Sequence, residues 1–186
     1  MERKYKTQVG QIPKIVNDFQ PKTHNQKVFF QKISDFNNQL IFCHGIAGTG
    51  KTYVSIYKAL QDVLRRGTGY DKIIIINPTV DVGNEDKLGY LPGELQQKIQ
   101  QYNESTFTIL NKIIGKARAN KMIQDNVIEI GVLNFLRGVN LENCYVILDE
   151  AQNVSPMQIK TIMTRISDNC KMIIQGDMSQ CDKYKT

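Results

Sequence analysis

The sequence predicts an α/β domain, a mostly parallel sheet flanked by helices, and three observations carry the prediction. Short apolar, β-branched runs recur along the 186 residues and alternate with stretches of helical periodicity, the pattern of strand–helix–strand units whose sheet is covered on both faces. The segment "GIAGTGKT" (45–52) stands between one such run and an amphipathic stretch, and it fits G-x-x-x-x-G-K-[ST], a loop that cradles phosphates. Finally, "YVILDEAQN" (145–153) sets two acids, Asp149 and Glu150, directly behind four apolar residues, at the carboxyl end of a strand, where open α/β sheets hold their ligands.

Taken in order, residues 1–22 lack periodicity and carry five Lys/Arg against two acids, which reads as an irregular basic arm before a single domain over 23–186. "THNQKVFFQKISDF" (23–36) reads as a helix, with Thr23 as cap and Gln26 as the reciprocal partner of a capping box. "QLIFCH" (39–44) is a short buried strand. "KTYVSIYKALQDVLRR" (51–66) is an amphipathic helix, ended by "GTG" at 67–69. "DKIIIINP" (71–78) is a continuous apolar run of the kind buried parallel strands show. The mixed, Gly-rich "TVDVGNEDKLGYLPGE" (79–94) is a loop of about 16 residues, longer than the roughly 12–15 usual for a plain connection, which favours function. Residues 94–120 are largely helical, as one helix or two. "NVIEIGVL" (126–133), "NCYVILDE" (143–150) and "CKMIIQGD" (170–177) are strands, and "SPMQIKTIMTRISD" (155–168) is a helix capped by Ser155 with Pro156 in its first turn.

Composition narrows the classes. A chain of this length buries roughly 70% of the surface its unfolded form exposes. No apolar run approaches the roughly 20 residues of a membrane span, and the charged N-terminus "MERKYKTQVG" lacks the apolar core of a secretory signal. The expectation is a cytoplasmic protein. The four cysteines form no C-x-x-C pair and only two His are present, which argues against zinc. Cys43 and Cys144, inside apolar runs, are expected as buried core thiols. The net charge of +6 is spread along the chain, so a diffuse basic surface accounts for it as well as nucleic acid does.

The motifs define a chemistry. Consecutive N–H groups of Gly45, Ile46, Ala47, Gly48, Thr49 and Gly50 can form an anion nest, and the helix that follows points its positive end at the same phosphates. Lys51 can reach the β- and γ-phosphates and the Thr52 hydroxyl can ligate Mg²⁺. Asp149 fits the acid that holds the metal through its water shell, and Glu150 the base that activates the attacking water. The acid pair favours hydrolysis over transfer to an acceptor hydroxyl. In "IIQGDMSQ" (173–180), Gln180 stands three residues after Asp177, where it can contact the γ-phosphate or the lytic water. Asp177 as a plain turn residue is the competing reading.

These elements, in this order, resemble superfamily 1 helicase motifs and, more closely, the PhoH-like family of P-loop ATPases. The resemblance covers about residues 20–182. It rests on "THNQ" (23–26), "GIAGTGKT" (45–52), "KLGYLPGEL" (87–95), "FLRG" (135–138), "VILDEAQN" (146–153), "TRI" (164–166) and "GDMSQCD" (176–182). It implies a RecA-like core that binds and hydrolyses ATP with Mg²⁺, in the setting of RNA metabolism and phosphate starvation. It matches Gln26 to a glutamine that reads the adenine edge, Lys51 and Thr52 to the Walker A pair, Asp149 and Glu150 to the Walker B pair, and Asp177 and Gln180 to the third helicase-like motif. Two departures stand out. "INP" replaces the family's "TRP", so Asn77 takes the place of an Arg and lacks its charge and fork. The basic element that family members carry beyond "GDxxQxD" is missing before Thr186.

P-loop ATPases often use an Arg that neutralises transition-state charge, worth about 10³–10⁵ in rate. Arg137 in "FLRG" and Arg165 in "MTRI" are the candidates, and an Arg acting from a neighbouring copy would require a homo-oligomer such as a ring. Three functions follow for test: an ATPase coupled to a partner such as single-stranded RNA or DNA, a nucleotide-binding fragment with little turnover, and a nucleoside or polynucleotide kinase. The kinase reading is disfavoured by the absence of a cysteine lid.

Overall fold

The five strands found among the described residues of the computed structural model run parallel in one sheet: β1 (Leu40–His44), β2 (Lys72–Ile76), β3 (Ile128–Gly131), β4 (Cys144–Leu148) and β5 (Lys171–Gly176), in the order β1-β5-β4-β2-β3. The structure describes residues 15, 18–65, 67–78, 103–131, 140–167 and 169–181. The helices are α1 (His24–Ser34), α2 (Lys51–Leu64), α3 (Glu104–Ile114), α4 (Lys116–Gln124) and α5 (Pro156–Met163). This is the predicted α/β P-loop architecture.

Alternation along each strand divides the core in two. Ile73, Ile75, Tyr145, Ile147 and Ile173 face a large apolar layer under α1 to α4. Ile74, Ile76, Val146, Leu148, Met172 and Ile174 face a smaller one under α5. A period of two sends neighbours to opposite faces, and with both faces covered the central strands need apolar residues at every position. All five residues of β4 are buried. Burying each such large apolar side chain contributes about 1.5–3 kcal/mol.

Buried polar groups tie the layers together. On α2, Lys58 Nζ donates to Asp62 Oδ1 at 2.5 Å, and the Tyr145 hydroxyl of β4 donates to Asp62 Oδ2. That bond and burial push the Tyr145 phenol well above its ordinary range, burial being the larger cause. Lys171, fully buried at the start of β5, donates to the carbonyls of Ile33 and Asp35 at 2.6 and 2.7 Å. It thereby closes the C-terminal end of α1, where the helix dipole favours a cation; burial lowers its pKa.

Several expectations are corrected. β1 is an edge strand of the described sheet, and Phe42 is 65% exposed; an edge strand buries fewer positions than a central one. For the same reason Cys43 is only half-buried, whereas Cys144 is buried as expected. Burial still raises the Cys43 pKa. The Thr23–Gln26 capping box is half formed: Thr23 Oγ1 accepts from Gln26 N–H, but Gln26 Oε1 accepts from the N–H of Lys22 rather than of Thr23. The segment expected as a helix to 168 ends at Met163, and just beyond it Ile166 forms an isolated parallel bridge with Leu141 that extended backbone makes and a helix cannot. Arg165 therefore lies beyond α5, and its carbonyl accepts from Leu141 N–H. The 94–120 stretch resolves into α3 and α4, broken at Gly115 with φ +83°, over the part that is described. The arm to residue 14, the 79–94 loop and "FLRG" lie outside the described residues.

Candidate functional site

The glycine-rich loop leaves β1 at the carboxyl edge of the sheet and is pinned there by Gly45 N–H donating to the Gly176 carbonyl of β5 at 3.2 Å. Gly48 and Gly50 take φ of +76° and +86°, a left-handed region that glycine enters at little cost. Gly50 caps α2 in that conformation, and a Cβ there would come within 3.2 Å of Gln26 Nε2. The loop is braced from inside and outside. Thr49 Oγ1 donates to the Ile46 carbonyl at 2.8 Å, and Lys51 Nζ donates to the carbonyls of Gly45 and Ile46 at 2.6 and 3.1 Å. Gln26 Nε2 donates to the Thr49 carbonyl at 2.9 Å, and Ala47 N–H donates to Asp177 Oδ2 at 2.8 Å. Gln26 is therefore a strut between the start of α1 and the loop, with both ends of its amide engaged.

The acid pair sits two strands away from the loop strand, across β5. Asp149, 8% exposed, leaves β4 with its N–H bonded to the Ile76 carbonyl at 2.9 Å. Its Oδ2 accepts from Thr52 Oγ1 at 2.8 Å, so the two residues matched to metal binding meet. Glu150 adopts φ +50°, ψ +40°, a left-handed conformation that costs a non-glycine residue on the order of 1–3 kcal/mol and clusters at functional sites. Its Oε2 accepts from Gln152 Nε2 at 2.6 Å.

Two glutamines missed by the sequence reading complete the arrangement. Gln152 Oε1 accepts from Asp177 N–H at 3.1 Å, so its amide joins the turn after β4 to the turn after β5. Gly176 has no side chain to spare, because a Cβ there would lie 2.5 Å from Gln152 Oε1. Gln175, fully buried on β5, donates to Asp149 Oδ1 at 2.9 Å and to Thr52 Oγ1 at 3.2 Å, and accepts from Ser55 Oγ at 2.6 Å. The only signal in the sequence was an amide interrupting the apolar run "KMIIQG", where an unsatisfied polar group is costly.

Asp177 is more than a turn residue. It accepts from Ser179 N–H and Oγ through Oδ1 while Oδ2 holds Ala47. The Ser179 hydroxyl, then the backbone N–H groups of Ala47 and Ser179, hold its carboxyl below the usual range against the opposing effect of burial. Gln180 ends the short 3-10 turn Met178–Gln180 and is exposed. Asn77 is buried just behind β2, beside the start of the acid turn. Arg165 is not brought to the loop: it stands at the amino-terminal side of β4, whereas the loop leaves the carboxyl side. Arg137 lies outside the described residues.

The donors present suit Mg²⁺. They are one hydroxyl and one carboxylate, both hard oxygens, and no group of three His, Cys, Asp or Glu that could hold a metal occurs among the described residues. Mg²⁺ keeps several waters and is held by one or two protein oxygens plus substrate phosphates, rather than by an all-protein cage.

Comparison with known proteins places the chain in a family. The family model described as PhoH-like protein matches residues 18–186. The "PhoH-like protein" of Bacillus subtilis (strain 168) is 42% identical over 148 residues, spanning 80% of this chain and 45% of the relative. That of Synechocystis sp. (strain ATCC 27184 / PCC 6803 / Kazusa) is 37% identical over 161 residues, spanning 87% and 47%. "Protein PhoH" of Escherichia coli (strain K12) is 35% identical over 148 residues, spanning 78% and 41%. The chain thus spans less than half the length of these curated relatives. Among solved structures, the large terminase from a thermophilic bacteriophage superposes with a TM-score of 0.50 at 12% identity, over 84% of this chain and 39% of that one, a likeness of fold alone.

Proposed function

This chain belongs to the PhoH-like family, and on that premise we propose that it binds ATP with Mg²⁺ and hydrolyses it to ADP and phosphate. The observation that carries the reading is the direct bond between Thr52 of the phosphate loop and Asp149 of the acid pair, with Glu150 one residue further on. Lys51 exchanges its loop carbonyls for phosphate oxygens, and the loop N–H groups and the start of α2 supply further positive potential. Thr52 and Asp149 hold Mg²⁺, which, when bound, offsets charge on the phosphates. Glu150 takes a proton from a water as that water's oxygen bonds to the γ-phosphorus, and the bond from the γ-phosphorus to the bridging oxygen breaks to release ADP. Gln152 Nε2 orients the base by donating to Glu150 Oε2. Gln180, in the turn braced by Asp177, contacts the γ-phosphate or the water.

Turnover is coupled to a partner, and single-stranded RNA is the candidate favoured by the family resemblance and the net charge of +6. The test is steady-state phosphate release from MgATP, with and without single-stranded RNA and DNA. Lys51→Ala should abolish turnover and nucleotide binding together. Glu150→Gln should retain binding and lose at least about 100-fold in kcat, the usual size of a general-base contribution. A wild-type rate in Glu150→Gln would overturn the assignment of the base. Nucleotide binding without turnover in the wild type would make the chain a binding module.

A further inference from the structure

We propose that Gln175 is a positioning residue for the two side chains that would hold Mg²⁺, setting which lone pair of Thr52 is left for the cation and which of Asp149 for the cation's water shell. The inference rests on the reading of Thr52 and Asp149 as the residues that hold Mg²⁺ and deepens it.

The argument is an accounting of donors and acceptors. A hydroxyl has one donor and two acceptor positions, and each carboxylate oxygen has two acceptor positions. The Thr52 proton goes to Asp149 Oδ2, and Gln175 Nε2 occupies one acceptor position on Thr52 Oγ1. Asp149 Oδ1 accepts from both Gln175 Nε2 and Glu150 N–H, which fills it. One acceptor position is left on Thr52 Oγ1 and one on Asp149 Oδ2, on two oxygens already in contact. Without Gln175 the Thr52 hydroxyl could rotate and Oδ1 would compete with Oδ2, so the ligand pair would no longer be singular.

The amide cannot be reversed. A carboxylate accepts only, so nitrogen must face Asp149, and Oε1 is then left to take the Ser55 hydroxyl on α2. Ser55 is itself fully buried. The backbone fixes the rest: Gln175 pairs in register with Cys43 of β1, and β5 pairs with β4 on its other side. The amide is thus carried by the strand that separates the loop strand from the acid strand. Groups one bond removed from a metal's ligands orient them, and losing one typically costs about 10–100-fold in metal affinity.

The experiment is a Mg²⁺ titration of the binding of a fluorescent ADP analogue, in wild type, Gln175→Met and Ser55→Ala, with EDTA controls and thermal melts of each protein. Gln175→Met should raise the half-saturating Mg²⁺ about 10-fold or more while leaving Mg²⁺-free nucleotide binding unchanged. Ser55→Ala, which removes one hydroxyl and little volume, should shift it in the same direction by less, and it carries the test if Gln175→Met fails to fold. The double variant should shift less than the two single effects combined, because both act through one amide. An unaltered Mg²⁺ requirement in the folded variants, whatever their melting temperature, would make Gln175 a core residue only and overturn the inference. A wild-type protein whose nucleotide binding ignores Mg²⁺ would overturn the ligand reading and this inference with it.

Discussion

Asp177 joins the ends of two strands through a single carboxylate. Its oxygens take the Ala47 N–H of the phosphate loop and both donors of Ser179, and these bonds lower its pKa. A carboxyl whose folded pKa is depressed stabilises the fold above its ordinary value near 3.8, and that contribution disappears as the pH falls through the folded value. Asp177→Asn should therefore flatten the acid limb of stability. Thermal melts between about pH 5 and pH 2 should show wild type losing more than the variant, and parallel curves would mean that the carboxylate bonds do not persist in solution. At this scale the sequence was legible wherever chemistry is local. The loop glycines, Lys51, Thr52 and the acid pair occupy the places their spacing implies. Gln175, Gln152 and the strut made by Gln26 were not legible, because each bonds to a residue on another element. Gln175 meets Asp149 from 26 positions away and Thr52 from 123. Those meetings depend on strand order, which alternation of apolar residues does not encode.

Elements were read well in kind and less well at their ends. The four strongest strand segments and α2 stand where expected, since continuous β-branched runs and 3.6-residue periodicity leave little choice. α5 shows why ends are harder. Its start is written locally: Ser155 Oγ accepts from Gln158 N–H at 3.3 Å, Gln158 Oε1 accepts from Ser155 N–H at 2.9 Å, and Pro156 opens the first turn. Its finish coincides with a non-local contact, the bridge between Leu141 and Ile166. Ser155→Ala should destabilise the protein by about 1 kcal/mol, the usual value of an N-cap. Urea unfolding should show a lower midpoint at unchanged slope; an unchanged midpoint would mean that tertiary packing alone sets where α5 begins. β1 illustrates the complementary limit. Its apolar run was read as buried, but "QLIFCH" does not say that the strand would take an edge.

For the molecule as a whole, the α/β architecture followed from the alternation of elements, whereas the order β1-β5-β4-β2-β3 had no counterpart in the sequence pattern. That order has a consequence for how the protein is made. β5 is the last strand of the described sheet to leave the ribosome, yet it lies between the first and the fourth. Until it arrives β1 has no partner in that sheet, and Gly45 has no Gly176 carbonyl to hold it. Neither Asp177 nor Gln175 is there to brace the loop and the acids. A chain stalled near residue 169 already contains Lys51, Thr52, Asp149 and Glu150, every residue of the two most recognisable motifs, and still lacks the strand that brings them together. On the proposed function, nucleotide capture should therefore switch on abruptly once Cys181 has emerged from the ribosome's exit tunnel. Ribosome-bound chains of increasing length, assayed for retention of a fluorescent ADP analogue, should show a step rather than a ramp. Until that point the nascent domain would hold both motifs without the strand that joins them.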